Sequence, residues 1–244
     1  MSLHSILIPA FNAAPFIQRT IESCLSQSYG DIEILVSDNN SVDSTFEIVK
    51  RFNDPRIRLY KQSTNIGMVG NLNWLLRNAS GSTFQILCAD DFLHQHFLKD
   101  VLPVKNDNNV VFTNATLICN GHPTEYKNFY KNGKVSTLEY IWRMHGAPLS
   151  SLVFTNNDHT KQFDPSLPFN CDYEYLYRCH LTCGRELYYV AKPLVYVNLH
   201  DNNETKHYDI KQENIKALDI MLRQTVLPLH FLIFFAKRSW LKFL

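Results

Sequence analysis

Over residues 3 to 100, short apolar runs alternate with segments whose apolar positions recur every three or four residues. SILIPA (5–10), IEILVS (32–37), IRLYKQ (57–62) and TFQILC (83–88) read as strands. Between them, FIQRTIESCLSQS after Pro15, DSTFEIVKRF (43–52) and MVGNLNWLLRNA (68–79) carry the helical period. Strands alternating with helices of this length predict βαβ units, hence an α/β fold with a mostly parallel sheet covered on both faces.

In such sheets ligands bind outside the carboxyl ends of the strands. Three polar clusters fall there: Asn12 after the first strand, SDNNSVD (37–43) after the second, and the adjacent acids Asp90 and Asp91 after the fourth. Two neighbouring carboxylates repel each other unless water, donors or a cation compensates them. A solvated strand end is the common case. Here apolar IL and FL flank the acids, which favours a site, and carboxylates beside a diphosphate suit Mg²⁺ or Mn²⁺.

Beyond residue 100 the pattern loosens. Strands are predicted near 110–115 and 151–155, a helix over 136–145 with a Ser136–Glu139 capping box, a helix over 171–183, and the strands ELYYVA and LVYVNLH. The chain of 244 residues is 45% hydrophobic, with 16 Phe and 12 Tyr, enough for a packed globular core. With 24 Lys and Arg against 23 Asp and Glu, no global field favours a nucleic-acid partner. The six cysteines lack CxxC pairs, and the sequence opens on a strand rather than a secretory leader, so reduced thiols in a cytoplasmic protein are expected.

Taken in order, ILIPAFNAAPFIQRTIESCLSQSYGDIEILVSDNNSVDST, NIGMVGNLNWLLRNASGSTFQILCADD and FNCDYEYLYR resemble the successive motifs of the inverting, family 2 type nucleotide-sugar glycosyltransferases with the GT-A fold, across residues 3 to 200. Many bacterial members of that family build lipopolysaccharide and other surface polysaccharides. The resemblance implies one GT-A domain over 1–205, with a nucleotide-sugar half (1–100) and an acceptor half (101–205), followed by a helical tail (206–244). It implies a metal-dependent enzyme that moves a sugar from a nucleoside-diphosphate donor, UDP-linked by preference, to a hydroxyl of a glycan or lipid-linked acceptor. The opposing reading is a GT-A-like domain that binds nucleotide or glycan without catalysis. A nucleotidyltransferase would want a Gly-rich basic loop, which IPAFNAAPF lacks.

Residue roles follow by the same resemblance. Pro9, Ala10 and Asn12 would line the nucleotide, and Asp38 or Asn39 would meet the base, an Asn carbonyl oxygen being able to accept a pyrimidine N3–H. Asn65, Gly67, Asn71 and Asn73 would border the nucleotide sugar. Asp91 would hold the metal, with Asp90 on the ribose or behind the metal, and His200 would reach metal or phosphate. Cys88 stands where relatives carry an acid, and is expected to be a buried strand-end thiol that leaves the metal more dependent on the donor's diphosphate. Asp172 would be the catalytic base; its bland alternative is a charge satisfying the helix dipole.

At the C-terminus, KQENIKALDIMLRQT (211–225) reads as a helix, and residues 229–244 as a basic, aromatic segment. Sixteen residues of helix span about 24 Å, short of the roughly 30 Å hydrocarbon core. Residues 229–244 therefore suit the membrane interface, on the inner face of the cell membrane, or a core or homo-oligomer contact.

Overall fold

The structure, a computed structural model, describes residues 2–125, 130–136, 139, 148–156, 162–201, 203 and 209–224. Strand β1 (His4–Ala10) leads into α1 (Ile17–Leu25), β2 (Ile32–Asp38), α2 (Thr45–Lys50), β3 (Ile57–Lys61), α3 (Met68–Asn78) and β4 (Thr83–Ile86). Then come β5 (Phe92–Leu93), α4 (Phe97–Val101), β6 (Asn109–Cys119), β7 (His122–Glu125), β8 (Gly133–Val135), β9 (Leu152–Thr155), α5 (Cys171–Cys183), β10 (Glu186–Leu199) and α6 (Ile210–Gln224).

All ten strands join one sheet in the order β3-β2-β1-β4-β9-β6-β10-β5, with β7 on β6 and β8 on β10. The β3-β2-β1-β4 half is parallel throughout. The expected parallel order stops at β9, which runs antiparallel to both β4 and β6, while β10 is parallel to β6. The two strands read over 186–199 are one strand, with register shifts on either side of Pro193. Proline has no N–H for the ladder, so the ladder adapts there by bulging rather than ending.

Alternate residues of each parallel strand enter opposite cores, as a sheet buried on both faces requires. Ile6, Ile8, Ile34 and Val36 meet Ile17, Ile21 and Cys24 of α1, Val49 of α2 and Phe97 and Leu98 of α4. Leu7, Leu35 and Ile86 meet Leu72, Leu75 and Leu76 of α3, Tyr175 and Leu176 of α5, and Ala217, Leu218 and Met221 of α6. Helix α6, expected within the tail segment, is thus part of the domain's second core.

Of the predicted 136–145 helix, only its start is described: Ser136 Oγ accepts from the Glu139 N–H at 3.1 Å, as the capping box requires. Residues 229–244 lie outside the described residues. Among the described residues no helix is long and apolar enough to cross a membrane. Cys24, Cys88, Cys119, Cys171 and Cys179 are free thiols.

Candidate active site

The loops after β1 and β2 are laced together by short polar side chains. Asn12, at φ 48, accepts from Val42 N–H through Oδ1 at 3.0 Å, while its own N–H donates to Ser41 Oγ at 2.9 Å. Ala13 N–H donates to Thr45 Oγ1 at 2.8 Å, and Ala14 N–H to Asp43 Oδ2 at 3.0 Å. Pro9 and Ala10 end β1 opposite Ser37 and Asp38. Asp38 is fully buried, its oxygens facing Ser41 N–H at 3.3 Å.

Two asparagines expected on the nucleotide side face the protein instead. Asn39 is 3% exposed; its Nδ2 donates to Asn65 Oδ1 at 2.9 Å, and its Oδ1 accepts from Ile66 N–H at 2.9 Å. Asn71 is 2% exposed and exchanges two bonds with Ser37, at 2.6 Å to the hydroxyl and 2.9 Å to the carbonyl. The Asn39 amide is committed because the turn before α3 has no regular ladder to satisfy its backbone, and the Asn71 amide ties α3 to Ser37 at the end of β2. That turn rests on Gly67, at φ 75 and ψ 164, a conformation open essentially to glycine alone. Asn65 Oδ1 also accepts the Gly67 N–H at 2.9 Å.

The third cluster, after β4, is the chemical centre. Asp91 is 4% exposed and turned inward: Oδ2 accepts from Ser150 Oγ at 2.6 Å, and Oδ1 from the Asn198 N–H at 3.1 Å. The Thr20 hydroxyl reaches the carbonyl oxygens of Ala89 and Asp91 at 2.8 and 2.7 Å, fixing the turn to α1. Asp90 keeps a 24% exposed side chain, with Oδ2 3.1 Å from His200 Nε2 and 3.0 Å from Asn203 Nδ2. Burial, then the Asp90 charge, pushes the Asp91 carboxyl up to about 8, against the bonds from Ser150 and Asn198. A cation arriving here would reverse that penalty.

Cys88 is half-buried, not the sequestered thiol expected of a strand end. Strand β4 closes at Ile86, two residues earlier, so Cys88 already belongs to the site's turn. Among the described residues, Cys88, Asp90 and Asp91 are the one group of three such donors that could share a cation, one ligand atom of each lying within 4.8 Å of the others. Burial raises the Cys88 thiol well above its ordinary range, as do the charges of Asp91, Asp90 and Asp172. The carboxylates and the neighbouring imidazole fit a divalent cation.

Asp172 enters from the other half of the chain, in the first turn of α5. Its charge acts on the Cys88 thiol, after those of Asp91 and Asp90. Burial pushes its carboxyl up to about 6, although Oδ1 accepts the Tyr173 N–H at 2.8 Å. Glu174, two residues on, is fully buried in a pair with Arg178 at 2.8 Å, so its carboxylate is committed to α5. Ser150 and Asn203 escape sequence reasoning: they are short polar residues in irregular segments, placed by the fold rather than by any periodic signal.

The sequence matches glycosyl transferase family 2 over residues 5–181. It is 34% identical over 117 residues to an uncharacterized glycosyltransferase of Haemophilus influenzae, covering 47% of each chain. It is 39% identical over 92 residues to the Escherichia coli UDP-Glc:alpha-D-GlcNAc-diphosphoundecaprenol beta-1,3-glucosyltransferase WfaP, covering 38% of this chain and 37% of that one. The matched span is thus less than half the length of these curated relatives. In three dimensions the chain is similar to Staphylococcus aureus TarS in complex with UDP-GlcNAc, with TM-score 0.76 and 18% identity over 92% of this chain and 67% of that one. It is likewise similar to the mannosyltransferase PcManGT of Pyrobaculum calidifontis in complex with GDP-Man and Mn²⁺, with TM-score 0.74 and 15% identity over 98% of this chain and 72% of that one. The architecture is that of the GT-A glycosyltransferases, and the family match over most of its length establishes that the chain belongs to glycosyl transferase family 2.

Proposed function

We propose that this protein transfers a sugar, with inversion at the anomeric carbon, from a UDP-sugar to a hydroxyl of a glycan or lipid-linked acceptor in cell-surface polysaccharide synthesis. The observation that carries the reading is the grouping of Cys88, Asp90 and Asp91 in the turn after β4, where the charge of Asp172 from α5 is also felt. In this reading a base and an acidic cation seat serve one centre. UDP as the donor nucleotide is supported by the UDP-Glc named for WfaP and the UDP-GlcNAc bound to TarS, and a lipid-linked acceptor by the diphosphoundecaprenol in the WfaP name.

In this reading Asp172 accepts the acceptor's proton as its oxygen attacks the anomeric carbon. Direct displacement needs no carboxylate nucleophile, and Glu174, tied to Arg178, is not placed to be one. We assign the adjacent acids the reverse of their expected duties. Asp90 with His200 forms the accessible face that would hold Mg²⁺ or Mn²⁺, while Asp91, its oxygens already engaged, braces the turn from behind. When bound, the cation would neutralise charge on the departing diphosphate. Pro9, Ala10, Asn12 and Asp38 form the nucleotide wall, and Asn39, Asn65, Gly67 and Asn71 act through the shape they impose on it.

The test is Asp172→Asn. Donor binding, read by thermal shift with UDP-sugars and Mn²⁺, should persist while transfer disappears. Normal turnover by this variant would overturn the assignment, and a wild-type protein that binds UDP-sugars but releases no UDP with any acceptor would favour the purely binding domain. Residues 229–244 are proposed as the contact with the inner membrane face; a chain ending at Thr225 that still sediments with membranes would refute this.

A further inference from the structure

The thiol of Cys88 is not in the setting of an inert core cysteine. Cys24 shows the contrast: fully buried in the apolar α1 core, its Sγ donates to the Thr20 carbonyl at 3.3 Å. Cys88 is half-buried, with a ligand atom within 4.8 Å of those of Asp90 and Asp91, and it is held by the Ser150 hydroxyl, which accepts the Cys88 N–H at 3.1 Å.

The two acids nearest Cys88 are unequal. Asp91 has both oxygens bound to protein donors, whereas Asp90 shares its Oδ2 with His200 Nε2 at 3.1 Å. The donors grouped here are one sulfur and two carboxylates, with the His200 imidazole 3.1 Å from Asp90 Oδ2. Magnesium takes oxygen ligands and gains little from sulfur or imidazole, while thiophilic first-row ions gain from both.

We propose that Cys88 is a direct ligand of the cation at this site, beside Asp90, and that it biases the site towards thiophilic first-row ions over Mg²⁺. As the sulfur–metal bond forms, the thiol proton leaves to water. The inference rests on the proposed cation site but not on sugar transfer.

Cobalt is a suitable probe, because sulfur ligation produces a near-ultraviolet charge-transfer band that oxygen and nitrogen ligands do not. Titrating the full chain with Co²⁺, with and without UDP, should develop this band to saturation at a single equivalent. Cys88→Ser should abolish the band and weaken Co²⁺ binding by about tenfold, with Mg²⁺ affinity unchanged within about twofold. Cys88→Asp, which restores an acid, should move the Mg²⁺-to-Co²⁺ preference towards Mg²⁺ by a similar factor. The proposal fails if Co²⁺ does not bind, if it binds without the band, if the band survives in Cys88→Ser, or if neither variant alters metal preference. Binding without the band would leave metal-dependent transfer intact; a wild-type band without transfer would refute the enzymatic reading and leave Cys88 ligation standing.

Discussion

His200 Nε2 lies 3.1 Å from Asp90 Oδ2, and its ring stacks on Phe16 with centroids 4.5 Å apart. The first residue after β10 is thereby clamped between the N-cap of α1 and the acid turn after β4, so three distant segments meet in one imidazole. His200→Ala should reduce the thermal stabilisation given by Mn²⁺ with UDP by more than half while leaving the cation-free melting temperature within about 2 °C, since a part-exposed pair contributes roughly 0–1 kcal/mol. Phe16→Leu, which keeps apolar cover but loses the stack, should give a smaller change in the same direction. Equal Mn²⁺ shifts in His200→Ala and wild type would remove His200 from the site.

Asp172 makes opposite demands on stability and activity. Burial raises its carboxyl from the ordinary 3.8 to about 6, so the fold favours the protonated form. The penalty is absent below about pH 4 and complete as pH rises through 6, because the unfolded chain ionises first. Asp172→Asn should therefore be more stable than wild type at pH 7.5, by roughly 1–3 kcal/mol, with the difference vanishing near pH 4. Activity has the reverse slope: the base exists only when ionised, so kcat/KM should fall on the acid side with an apparent pKa near 6. Chemical denaturation at two pH values and a pH–rate profile check the two halves.

Much of this site could be read before any fold was known, and what could not has a physical reason. The switching between short apolar runs and three-to-four-residue periods outlines β1 through β4, and helix 171–183 has both ends where α5 begins and stops. Strand direction leaves no such trace, so SLVFT gives no sign that β9 reverses the sheet order. Pro193 marks a disturbance without revealing that the strand continues through it. Asn39 and Asn71 look like ligand contacts in a list of polar residues, but amides are equally fitted to satisfy backbone groups, and here Asn39 closes the turn before α3 while Asn71 ties α3 to Ser37 of β2.

Ser150 tests how the acid turn is held. Its hydroxyl donates to Asp91 Oδ2 at 2.6 Å and accepts from the Cys88 N–H at 3.1 Å, while its carbonyl accepts from Gln85 Nε2 at 2.6 Å. Ser150→Ala keeps the carbonyl contact and strands a buried carboxylate and a backbone N–H. The expected cost is about 2–4 kcal/mol by denaturant unfolding. Because Asp91 loses a donor to its ionised form, metal-free protein should lose still more stability above pH 8 than at pH 6. A cost independent of pH would show that Ser150 acts only through packing.

Asn73 governs the approach of Asp172. Its Nδ2 donates to the Phe163 carbonyl at 3.0 Å and its Oδ1 accepts the Phe163 N–H at 2.8 Å, so one side chain replaces a strand partner for a residue with none. Phe163 is fully buried and stacks on Tyr175 of α5 at 4.4 Å. Helix α3 thus holds the segment from which α5, and with it Asp172, departs. Asn73→Leu should strand both backbone groups and cost about 2–4 kcal/mol. Because the Asn73 side chain is taken up by Phe163 instead of bordering the donor as expected, donor KM should change little while kcat falls, since small misplacement of a base weakens transfer steeply. Hydrogen exchange at the Phe163 amide should accelerate in parallel. A variant with wild-type kcat and an exposed Phe163 amide would show that the position of Asp172 does not depend on this anchor.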